Sequence, residues 1–261
     1  MDRFPNQAGT NVRGRLSIVI PVRNEAENIR PMLDALAQAL QAYAEILIVY
    51  DSESDTTLPV VRSLATTPGL EYRTVRNDLG CGPSNALRAG FAAARGEAVV
   101  VMMADMSDDL RALGPMIEKF ETGYDLVSGS RYMAGGEQVG GPWLKGKLSR
   151  IAGVSLNLLG LPVHDATNSF KLYRTERLRR LSLESNHGFE IGLEITVKGW
   201  RAGWRITEVP SRWVDRVAGK SNFKLVRWLP RYAKWYAQGC LYGLLSTRHP
   251  TVEHDSSGDL R

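Results

Sequence analysis

The 261-residue sequence predicts an α/β protein with a mostly parallel central sheet flanked by helices. Short apolar runs of strand length alternate with segments whose apolar residues recur at helical spacing. The segment 97–102, apolar after its first residue, fits a strand buried on both faces, as in parallel sheets. Acidic residues follow it directly, at the sheet edge where parallel α/β folds bind ligands.

The first half of the chain consists of repeated strand–helix units. Apolar runs predict strands at 16–22, 45–50, 70–75 and 97–102, and helical spacing predicts helices at 29–40, 57–64, 83–95 and 110–121. Asn24 with Glu27 three residues later is the pattern of a capping box, so the first helix is expected to begin there. This alternation implies parallel strands joined by crossover helices.

The second half continues the pattern less regularly. We predict a strand at 125–130, an irregular strand at 165–173, a late strand at 205–210, and helices at 148–161, 175–181 and 192–202. The segment 135–142 holds four glycines and a proline, a composition that predicts an irregular loop, and we expect a mobile lid there.

The segment 225–242 has the pattern of an amphipathic helix. One face carries Leu225, Trp228, Leu229, Tyr232 and Tyr236, and the opposite face carries Arg227, Arg231 and Lys234. Such a helix suits a membrane interface, but it also suits packing on the domain or on a second copy. Pro230 is expected to kink it or divide it. We therefore divide the chain into a flexible tail (1–13), one large domain (14–224), an amphipathic segment (225–245) and a second flexible tail (246–261).

The composition of the chain indicates its cellular location and the charge of its binding partners. A hydrophobic content of 43% supports one large domain, and a net charge of +5 with a pI of about 9.3 favours an anionic partner. The two cysteines, Cys81 and Cys240, indicate a reducing compartment and no thiolate metal site. The chain shows neither a signal sequence nor the roughly 18 uncharged apolar residues that span a bilayer. We expect a cytoplasmic protein, peripherally associated with the cytoplasmic face of a membrane.

The acidic residues after the 97–102 strand have two interpretations. Asp105, Asp108 and Asp109 suit the cap and first turn of the helix predicted near Leu110. Alternatively, Asp105, helped by Ser107 or Asp108, holds Mg²⁺ or Mn²⁺ through hard oxygen ligands while a nucleotide diphosphate completes the shell.

Two further polar loops are expected at the same edge of the sheet. The first strand ends in the segment 21–25, which includes Glu25, and the second is followed by Asp51. A carboxylate there can accept hydrogen bonds from a base or ribose, although each is equally an ordinary turn or cap residue. Gly80 and Gly82 lack the spacing of a Walker loop or a dinucleotide fingerprint, which argues against an NTP hydrolase and a dehydrogenase.

Several segments together resemble the family-2 glycosyltransferases of the GT-A fold. Eight motifs occur in the order seen in that family: 17–29, 51–57, 85–96, 104–105, 129–132, 165–174, 188–194 and 208–210 with 216–221. The resemblance is greatest to the dolichyl-phosphate, or polyprenyl-phosphate, mannosyl- and glucosyltransferase branch. It covers roughly residues 15–224.

This resemblance implies roles for particular residues. The nucleoside pocket would be lined by Pro21, Arg23, Glu25 and Asp51, and the diphosphate and metal would lie at Ala104, Asp105 and Ser107. The acceptor phosphate would face Arg131, Lys145 and Ser149. The donor diphosphate would be closed over by Arg216 with Lys220 or Lys224. Asp105, Arg131 and Arg216 are the expected catalytic residues. Arginine and lysine suit phosphate oxygens on chemical grounds as well. For Arg131, a surface ion pair is the alternative.

The sequence also departs from the family pattern. Met103 stands where the first aspartate of the Asp-x-Asp motif belongs, Ser107 where a glutamine often follows, Tyr50 where an aspartate precedes Asp51, and Lys145 where the family has an arginine. The second lysine of the closing motif is displaced to Lys224. A weakened or rearranged metal site and a different donor or acceptor are therefore expected.

The resemblance implies an inverting enzyme that transfers a sugar from a nucleoside-diphosphate sugar to a polyprenyl phosphate. A hydroxyl acceptor remains an alternative, with Asp165 as general base, and so do a nucleotidyltransferase and a non-catalytic sugar-nucleotide binding module. His164 and His187 are isolated in the sequence and are expected to be structural. We expect no nucleic-acid partner and leave a homo-oligomer open.

Overall fold

The computed structural model describes residues 16–40, 44–64, 70–215 and 225–246. Its strands are β1 (Leu16–Pro21), β2 (Ala44–Tyr50), β3 (Leu70–Arg76), β4 (Ala98–Val101), β5 (Leu126–Ser130), β6 (Glu137–Val139), β7 (Lys171–Arg174), β8 (Ile206–Pro210) and β9 (Arg212–Val214). Its helices are α1 (Ala26–Ala39), α2 (Thr57–Arg62), α3 (Pro83–Ala93), α4 (Leu113–Glu121), α5 (Trp143–Leu158), α6 (Thr175–Arg179), α7 (Glu190–Arg201) and α8 (Leu225–Ser246).

A seven-stranded sheet in the order β3-β2-β1-β4-β7-β5-β8 forms the centre of the fold. Six of these strands are parallel, and β7 is antiparallel to β4 and β5. The loops that follow β1, β2, β4 and β5 therefore leave the sheet at one edge. The predicted α/β class with a mostly parallel sheet is confirmed.

Alternate side chains of the central strands pack on opposite faces of the sheet. Ile18 and Ile46 join a core with α1 and α4, whereas Val19 and Leu47 join a core with α3 and α7. All four side chains are buried, which accounts for the continuous apolar runs of β1 and β2.

Four predictions about local structure are wrong. Asn24 has a φ of 58° and its side-chain oxygen accepts a hydrogen bond from the Thr56 N–H, so it does not cap α1, which begins at Ala26. The irregular strand expected at 165–173 is reduced to β7. Part of the glycine-rich segment forms β6, which pairs in parallel with β9. Helix α5 begins at Trp143 rather than near residue 148.

Helix α8 packs on the domain through Trp235, which the sequence pattern did not single out. Its side chain is fully buried, its indole N–H donates to Ser185 Oγ at 3.0 Å, and the Lys198 and Lys234 ammonium groups lie 4.8 and 4.6 Å from its ring centroid. Glu184 pairs with both lysines. The helix runs through Pro230 without division. The packing interpretation is therefore correct for this part of α8.

Gly153 brings α5 against the segment that precedes β7. A Cβ at this position would lie 2.0 Å from the backbone oxygen of His164, a distance that no side chain tolerates. The Ser155 and Tyr236 hydroxyls, 2.9 Å apart, then join α5 to α8. Helix α5 is thus fixed between the segment that precedes β7 and α8.

Candidate active site

A cavity of about 1310 Å³ lies at the edge of the sheet where the four loops meet. It is lined by ten predicted site residues: Pro21, Arg23, Glu25, Asp51, Ala104, Asp105, Ser107, Arg131, Lys145 and Ser149. Asp108 is not among the lining residues. Arg216, Lys220 and Lys224 lie outside the described residues. The sequence-based selection therefore converges on one cavity, and the roles of its members stay predictions.

The loops after β1 and β2 are joined by hydrogen bonds. The Asn24 N–H donates to both carboxylate oxygens of Asp55, at 3.1 and 3.2 Å, and the Glu25 N–H donates to Thr57 Oγ1 at 2.9 Å. Asp55 is buried and was not singled out from the sequence, because its partner is 31 positions away. These bonds hold Arg23 and Glu25 on the cavity wall.

Asp51 organises a third loop. One carboxylate oxygen accepts from Asn77 Nδ2 at 2.7 Å and the other from the Gly82 N–H at 3.0 Å. Gly82 has a φ of 127°, and a Cβ there would lie 2.7 Å from the His187 backbone oxygen. Asp51 therefore both lines the cavity and shapes the loop that enters α3.

The acidic turn after β4 separates its three aspartates. Asp105 Oδ1 accepts from the Ser107 N–H at 3.2 Å and stays on the cavity wall. Asp108 is buried, and its Oδ2 accepts from the Met103 N–H at 2.9 Å. Burial raises the pKa of Asp108 to about 7, and the neighbouring Asp105 charge adds to this effect. Asp109 accepts from the Arg111 N–H at 3.1 Å, so the capping interpretation holds for Asp109.

The residues on this wall fit a divalent cation that is held mainly by its substrate. Among the described residues there is no group of three or more His, Cys, Asp or Glu side chains suited to a metal. Asp105 and Ser107 nevertheless present hard oxygen ligands to the cavity. Mg²⁺ is commonly bound by one or two carboxylates together with phosphates and water. Asp108 does not line the cavity, and its Oδ2 accepts from the Met103 N–H.

Arg131 lines the same cavity and forms a buried ion pair. Its Nε and Nη2 donate to the two carboxylate oxygens of Asp165 at 2.7 and 2.9 Å. Asp165 has no exposed surface, and although burial alone would raise its pKa, the Arg131 guanidinium holds that pKa below its ordinary value. The surface-pair interpretation of Arg131 is therefore wrong. Asp165 is also a poor candidate for a general base, because its carboxylate is buried, is paired with Arg131 and does not line the cavity.

A cluster of hydroxyl groups surrounds this ion pair. Ser149 Oγ lies 3.1 Å from Arg131 Nη2, 3.0 Å from Tyr132 Oη, and in contact with Thr167 Oγ1. Tyr132 Oη also lies 3.0 Å from Gln138 Oε1 in β6. Sequence reasoning did not select Tyr132, Gln138 or Thr167 as site residues, because the hydroxyl contacts of Tyr132 and Thr167 with Ser149 join positions 17 and 18 residues apart.

The remaining wall of the cavity is apolar and belongs to α5, α7 and α8. It includes Leu148, Ile151, Leu193, Leu229 and Tyr232. Leu148, Ile151 and Leu229 are also exposed, so this wall continues onto the surface of the protein. His164 lies outside the cavity and pairs with Glu208 Oε1 at 2.5 Å, in agreement with a structural role.

Solved structures with the same architecture define the fold. Glucosyl-3-phosphoglycerate synthase from Mycobacterium tuberculosis, crystallised with Mn²⁺, uridine diphosphate and glucosyl-3-phosphoglycerate, matches with a TM-score of 0.61 and 18% identity over 89% of this chain and 79% of that chain. Its complex with uridine diphosphate matches with a TM-score of 0.63 and 16% identity, over 91% and 86% of the two chains. The molecule has the GT-A glycosyltransferase fold, with its cavity at the carboxyl edge of the sheet.

The chain belongs to glycosyl transferase family 2, whose pattern matches residues 17–182. It is 30% identical to polyprenol monophosphomannose synthase of Mycolicibacterium smegmatis over 82% of this chain and 86% of that protein. It is 29% identical to dolichol-phosphate mannosyltransferase of Pyrococcus furiosus over 85% of this chain, which spans 64% of that relative. The predicted resemblance to family-2 glycosyltransferases of the GT-A fold is confirmed.

Proposed function

We propose that this protein transfers a sugar from a nucleoside-diphosphate sugar to a polyprenyl phosphate, with inversion at the anomeric carbon. The observation that carries the proposal is the division of one cavity into three walls. Asp51 and Asp105 lie on a polar wall, Arg131 and Ser149 lie on a second wall, and the third wall is apolar and exposed. These walls suit the donor, the acceptor phosphate and the acceptor lipid respectively. Relatives named for polyprenol and dolichol-phosphate mannose synthesis support the same assignment.

The chemistry requires little basicity from the protein. An oxygen of the ionised acceptor phosphate forms a bond to the anomeric carbon, while the bond from that carbon to the nucleoside diphosphate breaks and the electron pair leaves with the diphosphate. An ionised phosphate is already a nucleophile, so the protein contributes alignment and charge stabilisation. Arg131 and Lys145 both line the cavity, and we propose that they orient the acceptor phosphate. Arg216 with Lys220 or Lys224 stay our predicted cations for the donor diphosphate.

Asp105 and Ser107 would hold Mg²⁺ or Mn²⁺ together with the donor diphosphate. When bound, the cation would offset the charge that develops on the departing diphosphate. Structural relatives crystallised with Mn²⁺ support this use of a divalent cation. Asp105 contributes the carboxylate, and its bond to the Ser107 N–H fixes the direction of that carboxylate.

We further propose that α5 and α8 rest on the surface of an anionic membrane. Both helices expose apolar side chains: Leu144, Leu148, Ile151 and Leu158 on α5, and Leu229, Leu241, Leu244 and Leu245 on α8. Ile151, Leu158 and Leu241 are 62, 80 and 60% exposed. The sequences of both helices contain cations and no acidic residue, which suits anionic headgroups. No helix in the described part of the chain meets the length and apolarity that a bilayer span requires.

The cytoplasmic face of the membrane is the side we propose. Cys81 and Cys240 are free thiols, as expected in a reducing compartment.

The proposed docking surface is testable by vesicle sedimentation. Replacing Ile151 and Leu158 by glutamine should lower the fraction bound to phosphatidylglycerol vesicles at least threefold, whereas replacing the exposed Arg62 on α2 should not. Equal sedimentation of both variants and the wild type would contradict this surface.

The reaction is testable with the purified protein, a panel of radiolabelled nucleoside-diphosphate sugars, MnCl₂ and a polyprenyl phosphate. The expected product carries the label in an organic-soluble, acid-labile lipid phosphate. Label found only in an acid-stable lipid or in a soluble product would favour a hydroxyl acceptor. In a separate assay with a nucleoside triphosphate and a sugar 1-phosphate, release of pyrophosphate would indicate a nucleotidyltransferase. Donor binding without transfer or hydrolysis would indicate a binding module.

A further inference from the structure

We propose that Tyr132 is a positioning residue that allows Ser149 to donate its only proton to the acceptor phosphate. This inference rests on the proposed function and concerns the hydroxyl groups beside the Arg131–Asp165 ion pair. Tyr132 is not among the residues that line the cavity, whereas its partners Ser149 and Gln138 both line it. Tyr132 therefore acts on a ligand through its neighbours.

Counting protons shows how the hydroxyl groups are arranged before a ligand binds. The Tyr132 hydroxyl has one proton and three oxygens within reach: Ser149 Oγ and Gln138 Oε1, each at 3.0 Å, and the Gly146 backbone oxygen at 3.4 Å. Ser149 Oγ also accepts from Arg131 Nη2 at 3.1 Å and contacts Thr167 Oγ1. When Tyr132 and Arg131 both donate to Ser149 Oγ, its lone pairs are occupied, and Ser149 can act toward a further ligand only as a donor.

An acceptor phosphate suits this arrangement, because its ionised oxygens accept hydrogen bonds and do not donate them. Ser149 turns its proton toward the phosphate while its oxygen accepts from Tyr132. Two oxygens lie 3.0 Å from Tyr132 Oη, and Tyr132 then donates to Ser149 rather than to Gln138. Gln138 Oε1, on the cavity wall, is satisfied by water. Only hydroxyl rotations are needed, and no buried polar atom loses its partner.

The ring of Tyr132 is held in place for this role. The Arg131 guanidinium lies 4.8 Å from the ring centroid, and Arg131 is itself fixed by Asp165. Gln138 belongs to β6, which pairs with β9, and the Val214 N–H of β9 donates to the Ser107 oxygen at 3.1 Å. Tyr132 therefore joins the acceptor side of the cavity to the strand pair that supports the donor side.

This arrangement makes Tyr132 a determinant of acceptor specificity. A lipid alcohol can itself donate a proton to the Ser149 oxygen in place of Tyr132. An ionised lipid phosphate has no proton to donate, so it depends on Ser149 as a donor, and the hydrogen bond from Tyr132 favours that orientation of Ser149. Loss of the Tyr132 hydroxyl should therefore weaken the binding of a phosphate and leave the binding of the corresponding alcohol unchanged.

The test compares Tyr132→Phe with the wild type and with Tyr124→Phe. Tyr124 precedes β5 while Tyr132 follows it, so the control removes a hydroxyl at the opposite end of the same strand. The dissociation constants of a four-isoprene polyprenyl phosphate and of the corresponding alcohol are measured by calorimetry. In Tyr132→Phe the constant for the phosphate should rise roughly three- to tenfold, with the constant for the alcohol and the melting temperature unchanged.

Any other outcome would overturn the role of Tyr132, the proposed function, or both. Equal phosphate binding by Tyr132→Phe and Tyr124→Phe would overturn the role of Tyr132. Parallel loss of phosphate and alcohol binding with a lower melting temperature would also overturn it, in favour of a purely structural role. Phosphate binding by the wild type without sugar transfer would refute the proposed function alone. No phosphate binding by the wild type would refute both proposals.

Discussion

Two walls of the cavity are built by different means: the wall with Asp51 and Asp105, which we propose for the donor and call the donor wall, and the wall with Arg131 and Ser149, which we propose for the acceptor phosphate and call the acceptor wall. On the donor wall, each carboxylate accepts from a backbone N–H: Asp105 accepts from Ser107, and Asp51 accepts from Gly82 and also from Asn77 Nδ2. On the acceptor wall, Arg131 is held by a buried carboxylate and by side-chain hydroxyl groups from other segments. A backbone donor survives substitution of the side chain it holds, whereas a side-chain network does not. Function and stability should therefore be separable on the donor wall and coupled on the acceptor wall.

The largest expected effect tests the donor wall. Asp105→Ala should reduce sugar transfer by more than roughly a hundredfold, because a charge-stabilising group at the departing diphosphate is lost. Its melting temperature should match the wild type, since the side chain lies on a cavity wall and its hydrogen bond is local. The initial rate of transfer with MnCl₂ measures the effect. Asp34→Ala, on the exposed face of α1, is the control. Retained activity in Asp105→Ala would mean that the site is misplaced.

A smaller effect on rate, combined with a loss of stability, is expected on the acceptor wall. Arg131→Ala leaves the Asp165 carboxylate buried without its cation, which typically costs about 3–5 kcal/mol. The KM for the lipid phosphate should also rise by more than roughly tenfold. Urea unfolding and acceptor titration measure the two effects. If the KM for the acceptor changes while the free energy of unfolding does not, function and stability are not coupled on the acceptor wall.

The wild type and the Arg131→Ala variant should also differ in how the free energy of unfolding changes at acid pH. Arg131 lowers the pKa of Asp165 in the folded state, so the stability from this pair is complete above the unfolded pKa and is lost as pH falls through the folded value. Arg131→Ala should lack this loss. Unfolding free energies measured across the acid range check the prediction, and parallel curves for the two proteins would contradict it.

The smallest effect on activity is expected for Asp108, a donor-side carboxylate that faces inward. Because burial raises its folded pKa from 3.8 to about 7, its stabilising contribution is complete below pH 3.8 and is lost as pH rises to about 7. Asp108→Asn keeps an acceptor for the Met103 N–H and cannot ionise. The variant should therefore be more stable than the wild type above pH 7, with a transfer rate within about twofold. A variant less stable than the wild type above pH 7 would show that Asp108 is charged and paired in the fold.

Local patterns were sufficient for much of the fold. The positions of β1, β2 and β4 followed from their apolar runs, and those of α1 and α4 from the helical spacing of their apolar residues. This was possible because each of these elements carries the apolar pattern of its burial in its own short segment. The convergence of Asp51, Asp105 and Arg131 on one cavity followed from the edge rule for parallel strands.

Contacts between distant segments were beyond the reach of local patterns. The antiparallel insertion of β7 and the pairing of β6 with β9 depend on partners more than 40 positions away in sequence. Asn24 resembles a helix cap, yet its side chain serves the loop after β2. Trp235 looks like one aromatic residue among several in α8, and only the positions of Lys198 and Ser185 identify it as the anchor.

The close approach at Gly153 has a consequence for how this enzyme tolerates change. Even a single added methyl group would push α5 away from His164 and carry Ser149 away from Arg131, although neither residue would itself be altered. The same shift would reorient the outward leucines of α5. The proposed lipid contact and the proposed acceptor site therefore both depend on the position of α5. A substitution at Gly153, which contacts no proposed substrate, should impair both together.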